Sequence, residues 1–209
     1  MPQSQIENAV SQEYDKLAST YDSRWQNYID QSLSFLLNSI EILPQESVLD
    51  LACGTGELAK LILAKNPQQQ ITGIDLSKDM LEVAKKKLKA YPNISLYNTS
   101  AASLPIADKS FDIVVCANAF HFFEFPQQVL AEIKRVLKPG GKVIIVDWCR
   151  DYILMKIIDV WLKITDPAHQ KCYSAAEFNQ ILETAGFDII KDDKIRFGMI
   201  WELIAIVMK

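Results

Sequence analysis

The sequence predicts an α/β sandwich around a largely parallel sheet. Short apolar segments rich in Val and Ile alternate with amphipathic helical patterns along most of the chain. The apolar segments are nearly continuous, as expected for parallel strands that helices cover on both faces. Two more apolar segments follow one another at the end of the chain without a long helical pattern between them, which predicts an antiparallel hairpin. The five strands predicted in the first part span 47–52, 70–75, 94–98, 111–117 and 141–147.

Three helices are predicted between these strands, over 57–65, 78–91 and 126–137. In the second helix Leu81, Ala84 and Leu88 fall on one face, and the third helix repeats this spacing. The sequence Pro-Gly-Gly at 139–141 is expected to end the third helix and to start the fifth strand.

The two ends of the chain have other patterns. Residues 1–40 are predicted to be helical. Ser174 and Glu177 form a capping box that opens a helix, and Gly186 sits where a helix-ending residue with positive φ is favoured. Segments 187–197 and 199–209 are predicted as the two hairpin strands, joined at Gly198.

Residues 151–165 form an amphipathic pattern in which Lys156, Asp159 and Lys163 share one polar stripe. The pattern favours an apolar face packed against the core. A lid over a hydrophobic substrate, a dimer face and a helix lying on a membrane surface stay open as alternatives.

The composition is that of one globular domain. The chain has 209 residues, of which 49% are hydrophobic and 23% charged. A net charge of −4 with only four arginines disfavours nucleic acid as a partner. The basic residues at 85–87 and 89 are expected on a solvated helix face.

The sequence lacks a secretory signal and any apolar run of the roughly 18–20 residues that a membrane helix needs, so we expect a cytoplasmic protein without integral membrane association. The oligomeric state stays open.

The cysteines do not suggest a metal site. Cys53, Cys116, Cys149 and Cys172 are far apart in sequence and form no pair or cluster with metal-ligand spacing. We expect mostly buried free thiols and no metal.

A glycine-rich loop marks the candidate ligand site. The segment VLDLACGTGELA leads from a predicted strand through Gly54 and Gly56 into a predicted helix. Glycine lets the backbone approach a ligand where a Cβ would collide. With Ala59 the loop matches G-x-G-x-x-A, and Asp75 follows at the end of the next strand, where a carboxylate can accept both hydroxyls of a ribose. Two ligand classes fit this pattern, a nicotinamide dinucleotide and S-adenosylmethionine.

Charge favours the second ligand. Asp50 lies just before the loop and Glu57 just after it. Two carboxylates would repel the pyrophosphate of a dinucleotide, whereas they stabilise the ammonium and sulfonium of S-adenosylmethionine. A unit ion pair at 4 Å is worth roughly 4 kcal/mol at an effective dielectric near 20, before desolvation.

The sequence resembles the class I S-adenosylmethionine-dependent methyltransferases, in particular the small methyltransferase type 11 group that is similar to ubiquinone- and menaquinone-biosynthesis enzymes. The resemblance covers about residues 14–147. Its segments are YDKLASTYDSRW, VLDLACGTG, GIDLS, SLPIADKSFDIVVCANAFHFF and LKPGGKVIIVD, in the family's order. It implies a Rossmann-like three-layer sandwich with a seven-stranded, mostly parallel sheet and an antiparallel C-terminal hairpin.

The resemblance also implies a cofactor site for S-adenosylmethionine. Asp50 and Gly54 would face its methionine part, Asn118 would lie beneath that part, and Asp75 would bind the ribose. The full set of candidate cofactor-binding residues is Tyr21, Asp50, Ala52, Gly54, Gly56, Asp75, Leu76, Ser100, Ala101 and Asn118.

The adenine end departs from the family's pattern. Leu76 would pack on the adenine, and Ser100 with Ala101 would flank its edge. The family commonly has Asp where Ser100 stands, so this contact lacks charge assistance.

Two histidines are candidates for a general base. His121 follows the fourth strand, near the expected position of the transferred methyl, and His169 lies in a segment expected to cover the pocket, with Asp166 or Tyr173 as its orienting partner. The (D/N)-P-P-Y motif of enzymes that methylate amides and exocyclic amines is absent after the fourth strand. We therefore expect O- or C-methylation of a small, apolar or aromatic molecule. The alternatives are a protein or RNA methyltransferase, an NAD(P)-binding reductase and a non-catalytic ligand-binding module.

These expectations divide a single methyltransferase domain, 1–209, into four parts. They are an N-terminal helical lid at 1–40, a cofactor-binding core at 45–147, substrate-covering helices at 148–186 and the C-terminal hairpin at 187–209.

Overall fold

A seven-stranded sheet forms the centre of the molecule. The computed structural model describes residues 4–166, 168–197 and 201–209, without the side chain of Trp201. The strands are β1 (Ser47–Leu51), β2 (Gln70–Asp75), β3 (Ile94–Asn98), β4 (Phe111–Ala117), β5 (Leu137–Trp148), β6 (Ile189–Phe197) and β7 (Trp201–Met208). Their order across the sheet is β3-β2-β1-β4-β5-β7-β6.

The first five strands are parallel, and β7 is antiparallel to both β5 and β6. The strand order reverses between β1 and β4. In open α/β sheets a crevice opens at such a reversal, outside the carboxyl ends of the strands.

Seven α-helices lie around the sheet in the described part of the chain. They are α1 (Gln5–Leu17), α2 (Tyr21–Ser39), α3 (Glu57–Lys65), α4 (Lys78–Leu88), α5 (Pro126–Val136), α6 (Ile153–Thr165) and α7 (Ala175–Thr184). A 3₁₀ turn, Phe120–Phe122, follows β4.

Alternating strand residues supply two hydrophobic layers. On one face Leu49, Val114 and Ile145 pack with residues of α5 and α7. On the other face Val48 and Ile113 pack with residues of α2, α3 and α4. The side-chain alternation of a strand explains this division, since neighbouring residues point to opposite faces. The predicted three-layer α/β sandwich with a mostly parallel sheet is confirmed.

Several predicted boundaries move. The fifth strand begins at Leu137 rather than 141, because Leu137 pairs with Phe111 before a register irregularity and the strand runs through the Pro-Gly-Gly segment. Helix α4 ends at Leu88 rather than 91. The hairpin pairing of β6 and β7 is confirmed, whereas its predicted junction at Gly198 lies outside the described residues.

Helix α6 has the opposite orientation from the one that we predicted. Asp159, which we had assigned to an outward polar stripe, is 1% exposed, whereas Ile153 and Ile164 are 76% and 80% exposed. The prediction that the apolar face of this helix packs against the core is therefore wrong. Asp159 is buried because cationic and backbone groups satisfy its carboxylate: Lys163 Nζ approaches Oδ2 at 2.8 Å and Cys172 N approaches Oδ1 at 2.8 Å.

The cysteine prediction holds, since all four thiols are free and buried. Among the described residues, no helix combines the length and apolarity that crossing a membrane requires. The division of the chain into a lid, a core, covering helices and a hairpin stays a prediction.

The predicted cap of α7 gives a test of local stability. The Ser174 side chain accepts a hydrogen bond from Glu177 N, and the Glu177 carboxylate accepts one from Ser174 N at 2.9 Å. Ser174→Ala should lower the free energy of unfolding by about 1 kcal/mol, as measured by urea denaturation. Ser34→Ala, at an exposed position inside α2, should change it by less than about 0.5 kcal/mol. Equal effects of the two changes would contradict the cap's contribution.

Candidate active site

The loop after β1 has a backbone that turns through left-handed conformations. Ala52, Gly54 and Gly56 have φ values of 59°, 53° and 79°. A Cβ on Gly56 would lie 2.8 Å from Leu88 Cδ1, so glycine is required there for close packing of α3 against α4 as well as for φ. The loop thereby brings its backbone to the crevice at the carboxyl end of β1.

Asp75 fixes this loop to the neighbouring strand. Its Oδ2 accepts a hydrogen bond from Gly54 N at 2.7 Å, and its Oδ1 accepts one from Ser77 N at 2.8 Å. Burial raises the pKa of Asp75 to about 6, although these two N–H groups act in the opposite direction. Each carboxylate oxygen retains a lone pair, so Asp75 can still accept from a ribose.

Asp50 is a buried carboxylate with an oxygen that no described group satisfies. It lies at the carboxyl end of β1, is 2% exposed, and its Oδ2 has no hydrogen-bond partner among the described residues. Burial, and then repulsion by Asp75, raise its pKa to about 7. A recess of about 70 Å³ adjoins Asp50 and is also lined by Tyr21, Gly54 and Asn118. Such a site favours a cationic group with hydrogens to donate.

Glu57 does not have the free negative charge that the sequence argument gave it. Lys87 Nζ forms an ion pair with Glu57 Oε1, and Lys60 Nζ lies 3.2 Å from Oε2. Lys87 also pairs with Asp22 at 2.7 Å, so its expected place on a solvated face is wrong. The acidic character beside the loop therefore comes from Asp50 and Asp75.

A cavity of about 520 Å³ lies over the crevice. The candidate cofactor residues that line it are Tyr21, Ala52, Gly54, Asp75, Leu76, Ser100, Ala101 and Asn118. Asp50 lies in the adjoining recess instead. Gly56 is among the lining residues of neither space and acts through the packing of its turn.

The first helix forms one wall of the cavity through residues that sequence reasoning missed. Glu7, Val10 and Ser11 of α1 line it. The Ser100 hydroxyl donates a hydrogen bond to Glu7 Oε1, and Ser11 Oγ donates to Leu76 O at 3.1 Å. The only sequence signal at Glu7 is its capping box with Ser4, which predicts a helix start and not a contact across the cavity.

Asn118 connects the sheet to the second helix. It has φ 57°, accepts a hydrogen bond from the Tyr28 hydroxyl at 2.7 Å and donates to Ser32 Oγ at 2.9 Å. Trp148 Nε1 in turn donates to the Tyr28 hydroxyl at 2.6 Å. This chain of hydrogen bonds links α2 to the ends of β4 and β5, next to the cavity.

His121 forms a buried pair with Asp147, a residue that the sequence analysis did not single out. His121 Nδ1 lies 2.6 Å from Asp147 Oδ1, and the two residues are 1% and 2% exposed. His121 Nε2 has no partner among the described residues. The imidazole stacks on Trp148, with ring centroids 4.2 Å apart, and contacts the ring of Phe122, which lines the cavity. His121 is thus held one side chain behind the cavity wall.

His169 has a different partner from those that we expected. Its Nε2 lies 2.8 Å from Asp159 Oδ1, so the side-chain partner is neither Asp166 nor Tyr173. Burial lowers the pKa of His169, which favours the neutral ring. Its ring centroid lies 5.7 Å from that of His121, so the two candidate bases are close to each other, although neither lines the cavity.

Asp159, His169 and Cys172 also bring three potential metal-ligand atoms within 4.8 Å of one another. The Asp159 carboxylate already faces Lys163 at 2.8 Å and Arg150 at 3.7 Å. These cations compete with a metal ion for the same oxygen, so the group is better described as an ion-pair network. The prediction that the protein uses no metal stays a prediction.

Aromatic side chains form the remaining wall. Phe122, Phe123 and Phe125 line the cavity, as does Tyr14 of α1, whose ring lies 5.6 Å from that of Phe122. Phe120, in the same sequence cluster, is fully buried in the core instead.

Comparison with known proteins assigns the family. A family model described as a methyltransferase domain matches residues 49–145. The demethylmenaquinone methyltransferase of Chlorobaculum parvum is 31% identical over 191 residues, which cover 84% of this chain and 76% of that protein. The chain belongs to the class I S-adenosylmethionine-dependent methyltransferases. The resemblance found in the sequence is confirmed, and the dinucleotide-dependent reductase alternative is set aside.

Two further comparisons describe the extent of the similarity. The demethylmenaquinone methyltransferase of Thermotoga maritima is 38% identical over 144 residues, which cover 64% of this chain and 59% of that protein. This methyltransferase chain thus matches about three fifths of that relative's length. The crystal structure of the geranyl diphosphate C-methyltransferase from Streptomyces coelicolor A3(2) has a TM-score of 0.78 and 10% identity, and the alignment covers 100% of this chain and 99% of that one. At that identity the similarity shows the shared fold alone.

The buried Asp50 carboxylate generates a prediction on stability. Its folded-state pKa of about 7 is above the value of about 3.9 expected in an unfolded chain, so ionised Asp50 destabilises the cofactor-free fold. The loss of stability accumulates as the pH rises between these two values and is complete above pH 7. Asp50→Asn should therefore raise the Tm at pH 8 by at least about 3 °C, which corresponds to ~1 kcal/mol for a chain of this size, and should raise it much less at pH 4.

The control for this measurement is Asp188→Asn, at an exposed position, which should leave the Tm unchanged at both pH values. An unchanged or lower Tm of Asp50→Asn at pH 8 would contradict the prediction, because it would show that other groups stabilise the ionised carboxylate in the cofactor-free protein.

Proposed function

We propose that this methyltransferase binds S-adenosylmethionine in the 520 Å³ cavity and its adjoining recess and methylates an oxygen or carbon of a small, apolar or aromatic molecule. The observation that carries the proposal is Asp50 Oδ2, which has no partner within the described ranges and is buried beside a recess large enough for a small cationic group. The candidate cofactor residues that share the cavity support the same ligand.

Each end of the cofactor has chemically suitable residues. Asp50 would accept from the ammonium, which neutralises the buried carboxylate. Asp75 would accept from the ribose hydroxyls while it holds the Gly54 amide at 2.7 Å. Asn118 and the Tyr21 ring would bound the methionine part, since both line the cavity and the recess.

Glu7 would supply the carboxylate that the family commonly has at the position of Ser100. The hydroxyl of Ser100 donates to Glu7 Oε1, so it orients a carboxylate from α1 that lines the same cavity as Asp75. The base attached to a ribose on Asp75 would reach this end of the cavity, where Leu76 and Ala101 offer apolar surface. Glu7 would then accept a charge-assisted hydrogen bond from the adenine amine.

The acceptor is assigned to the aromatic wall. The rings of Tyr14, Phe122 and Phe123 give this part of the cavity an apolar surface that suits a planar, apolar molecule. The Chlorobaculum and Thermotoga relatives are both named demethylmenaquinone methyltransferases, which supports a quinone-type acceptor.

When bound, S-adenosylmethionine supplies an electrophilic methyl group. The protein has to hold the acceptor in line with that methyl and to take up a proton from the acceptor. His121 is suited to the second task because Asp147 fixes its Nδ1 and leaves Nε2 as the free position. Since Phe122 lies between His121 and the cavity, acceptor binding would have to displace that ring. His169 is the less suited base, because its Nε2 already faces Asp159.

Cofactor binding gives the direct test. Isothermal titration with S-adenosylhomocysteine should show micromolar affinity at pH 8. Asp75→Asn should weaken it by at least tenfold, because the amide replaces an acceptor oxygen by a donor. Glu7→Gln should weaken the affinity for S-adenosylhomocysteine less than Asp75→Asn does, because it changes only the contact with the adenine amine. NADH is the control ligand and should not bind. Absent binding of S-adenosylhomocysteine to the unmodified protein would overturn the proposal.

The role of His121 can be tested separately from binding. With a reduced 1,4-naphthoquinone as acceptor, His121→Gln should lower kcat by about 10²-fold or more while the affinity for S-adenosylhomocysteine stays the same. Asp147→Asn should give part of that loss, because the ring loses its orienting carboxylate. His169→Gln serves as the matched control and should retain most of kcat. Full activity of His121→Gln would remove His121 as the base.

A further inference from the structure

The outward face of α6 is a continuous apolar surface. It consists of Ile153, Leu154, Ile157, Val160, Trp161 and Ile164, which we call the α6 stripe. Their exposed fractions range from 38% for Leu154 to 80% for Ile164. The spacing of three and four residues places all six along one side of the helix. Single exposed hydrophobic residues are ordinary, but a grouped set of this size marks an interaction surface.

The charges along one edge of the stripe are basic, and the exposed Asp151 just before the helix is paired with Lys194 at 2.8 Å. Lys156 and Lys163 are seven residues apart and lie along one edge of it. Arg196 lies over the ring of Tyr152 at the start of the helix, at 4.2 Å from its centroid. The only carboxylate within α6, Asp159, is buried on the opposite side of the helix. Lys163 also pairs with Asp159 at 2.8 Å, so its charge is shared with that carboxylate. The surface therefore combines exposed apolar side chains with cations, and the acid within α6 faces away from it.

We propose that the α6 stripe binds an anionic lipid surface, with the helix lying in the interface. An amphipathic helix binds in this way when its apolar face enters the boundary of the acyl chains and its basic edge meets the lipid phosphates. A second copy of the chain fits less well, because antiparallel pairing of two stripes would bring the lysine edges of both copies together.

The position of α6 connects this surface to the acceptor side of the site. On its buried side Asp159 accepts from Cys172 N at 2.8 Å and lies 2.8 Å from His169 Nε2. The ring of His169 is 5.7 Å from that of His121. An apolar acceptor dissolved in the lipid would thus reach the enzyme on the side where the aromatic wall lies. This last step rests on the proposed function, whereas lipid binding by the stripe does not.

Vesicle flotation of the full chain tests the inference. The probe is phosphatidylcholine vesicles with 30% phosphatidylglycerol, compared with phosphatidylcholine alone. The protein should float with the anionic vesicles and at least fivefold less with the neutral ones. Ile157→Glu with Ile164→Glu should abolish flotation, and Lys156→Gln should weaken it about fivefold, as expected for one lysine near an anionic surface.

Ile190→Glu is the matched control. Ile190 is an exposed isoleucine of β6 outside the stripe, 54% exposed, and its change should leave flotation as it was. Titration of every variant with S-adenosylhomocysteine reports whether the fold and the cofactor site are intact.

Three results would overturn the inference. The first is that the protein does not float with anionic vesicles, and the second is that Ile190→Glu loses as much flotation as the stripe variant, Ile157→Glu with Ile164→Glu. The third is a dimer in light scattering that the stripe variant dissociates, because the stripe would then be a contact between copies. The two proposals fail in different ways. Flotation without S-adenosylhomocysteine binding would contradict the proposed function alone, and the reverse result would contradict the lipid surface alone.

Discussion

Two carboxylates, the buried Asp50 and the half-buried Asp75, lie at the edge of the sheet where β1 and β2 end, and their different environments shape the whole site. Asp75 receives the backbone N–H groups of Gly54 and Ser77, so its charge also fixes the glycine loop and the start of α4. Asp50 has an oxygen that no group in the described part of the chain satisfies, and its pKa rises to about 7. Burial of an unpaired carboxylate is unfavourable for folding, and this cost is the reason for which the proposed function gives Asp50 a cationic ligand.

The N-terminal helices complete the site by contacts with both carboxylate-bearing loops. Asp15 of α1 accepts from Ser77 Oγ at 2.6 Å, and Asp22 of α2 accepts from Thr55 Oγ1 at 2.6 Å. The Tyr28 hydroxyl adds a hydrogen bond to Asn118. Helices α1 and α2 are therefore hydrogen-bonded to the loops that follow β1 and β2, beside the cavity and its recess.

Helix α6 shows why a polarity pattern can mislead. Its sequence has a polar stripe and an apolar face, which would ordinarily point to solvent and core. In the structure Asp159 is buried, because Lys163, Cys172 N and His169 converge on its carboxylate from both α6 and the following segment. A buried acid is tolerated when several donors satisfy it. None of these donors is identifiable as its partner from spacing alone, apart from Lys163 at i+4.

The sequence by itself determined the α/β sandwich, the strand and helix order, the α7 cap and the family, since these depend on local periodicity, turn residues and ordered motifs. The resemblance to the family also pointed to eight residues that line the cavity. Two of them, Gly54 and Asp75, follow from position as well, because loops and acids that follow parallel strands are brought to one edge of the sheet. Only the tertiary structure decided that Lys87 neutralises Glu57, that Asp147 holds His121, that Glu7 reaches Ser100 and that the apolar face of α6 points outward. Each of these depends on side chains 26 to 93 residues apart, or on the side of a helix that the rest of the fold covers, and no pattern within one segment specifies either.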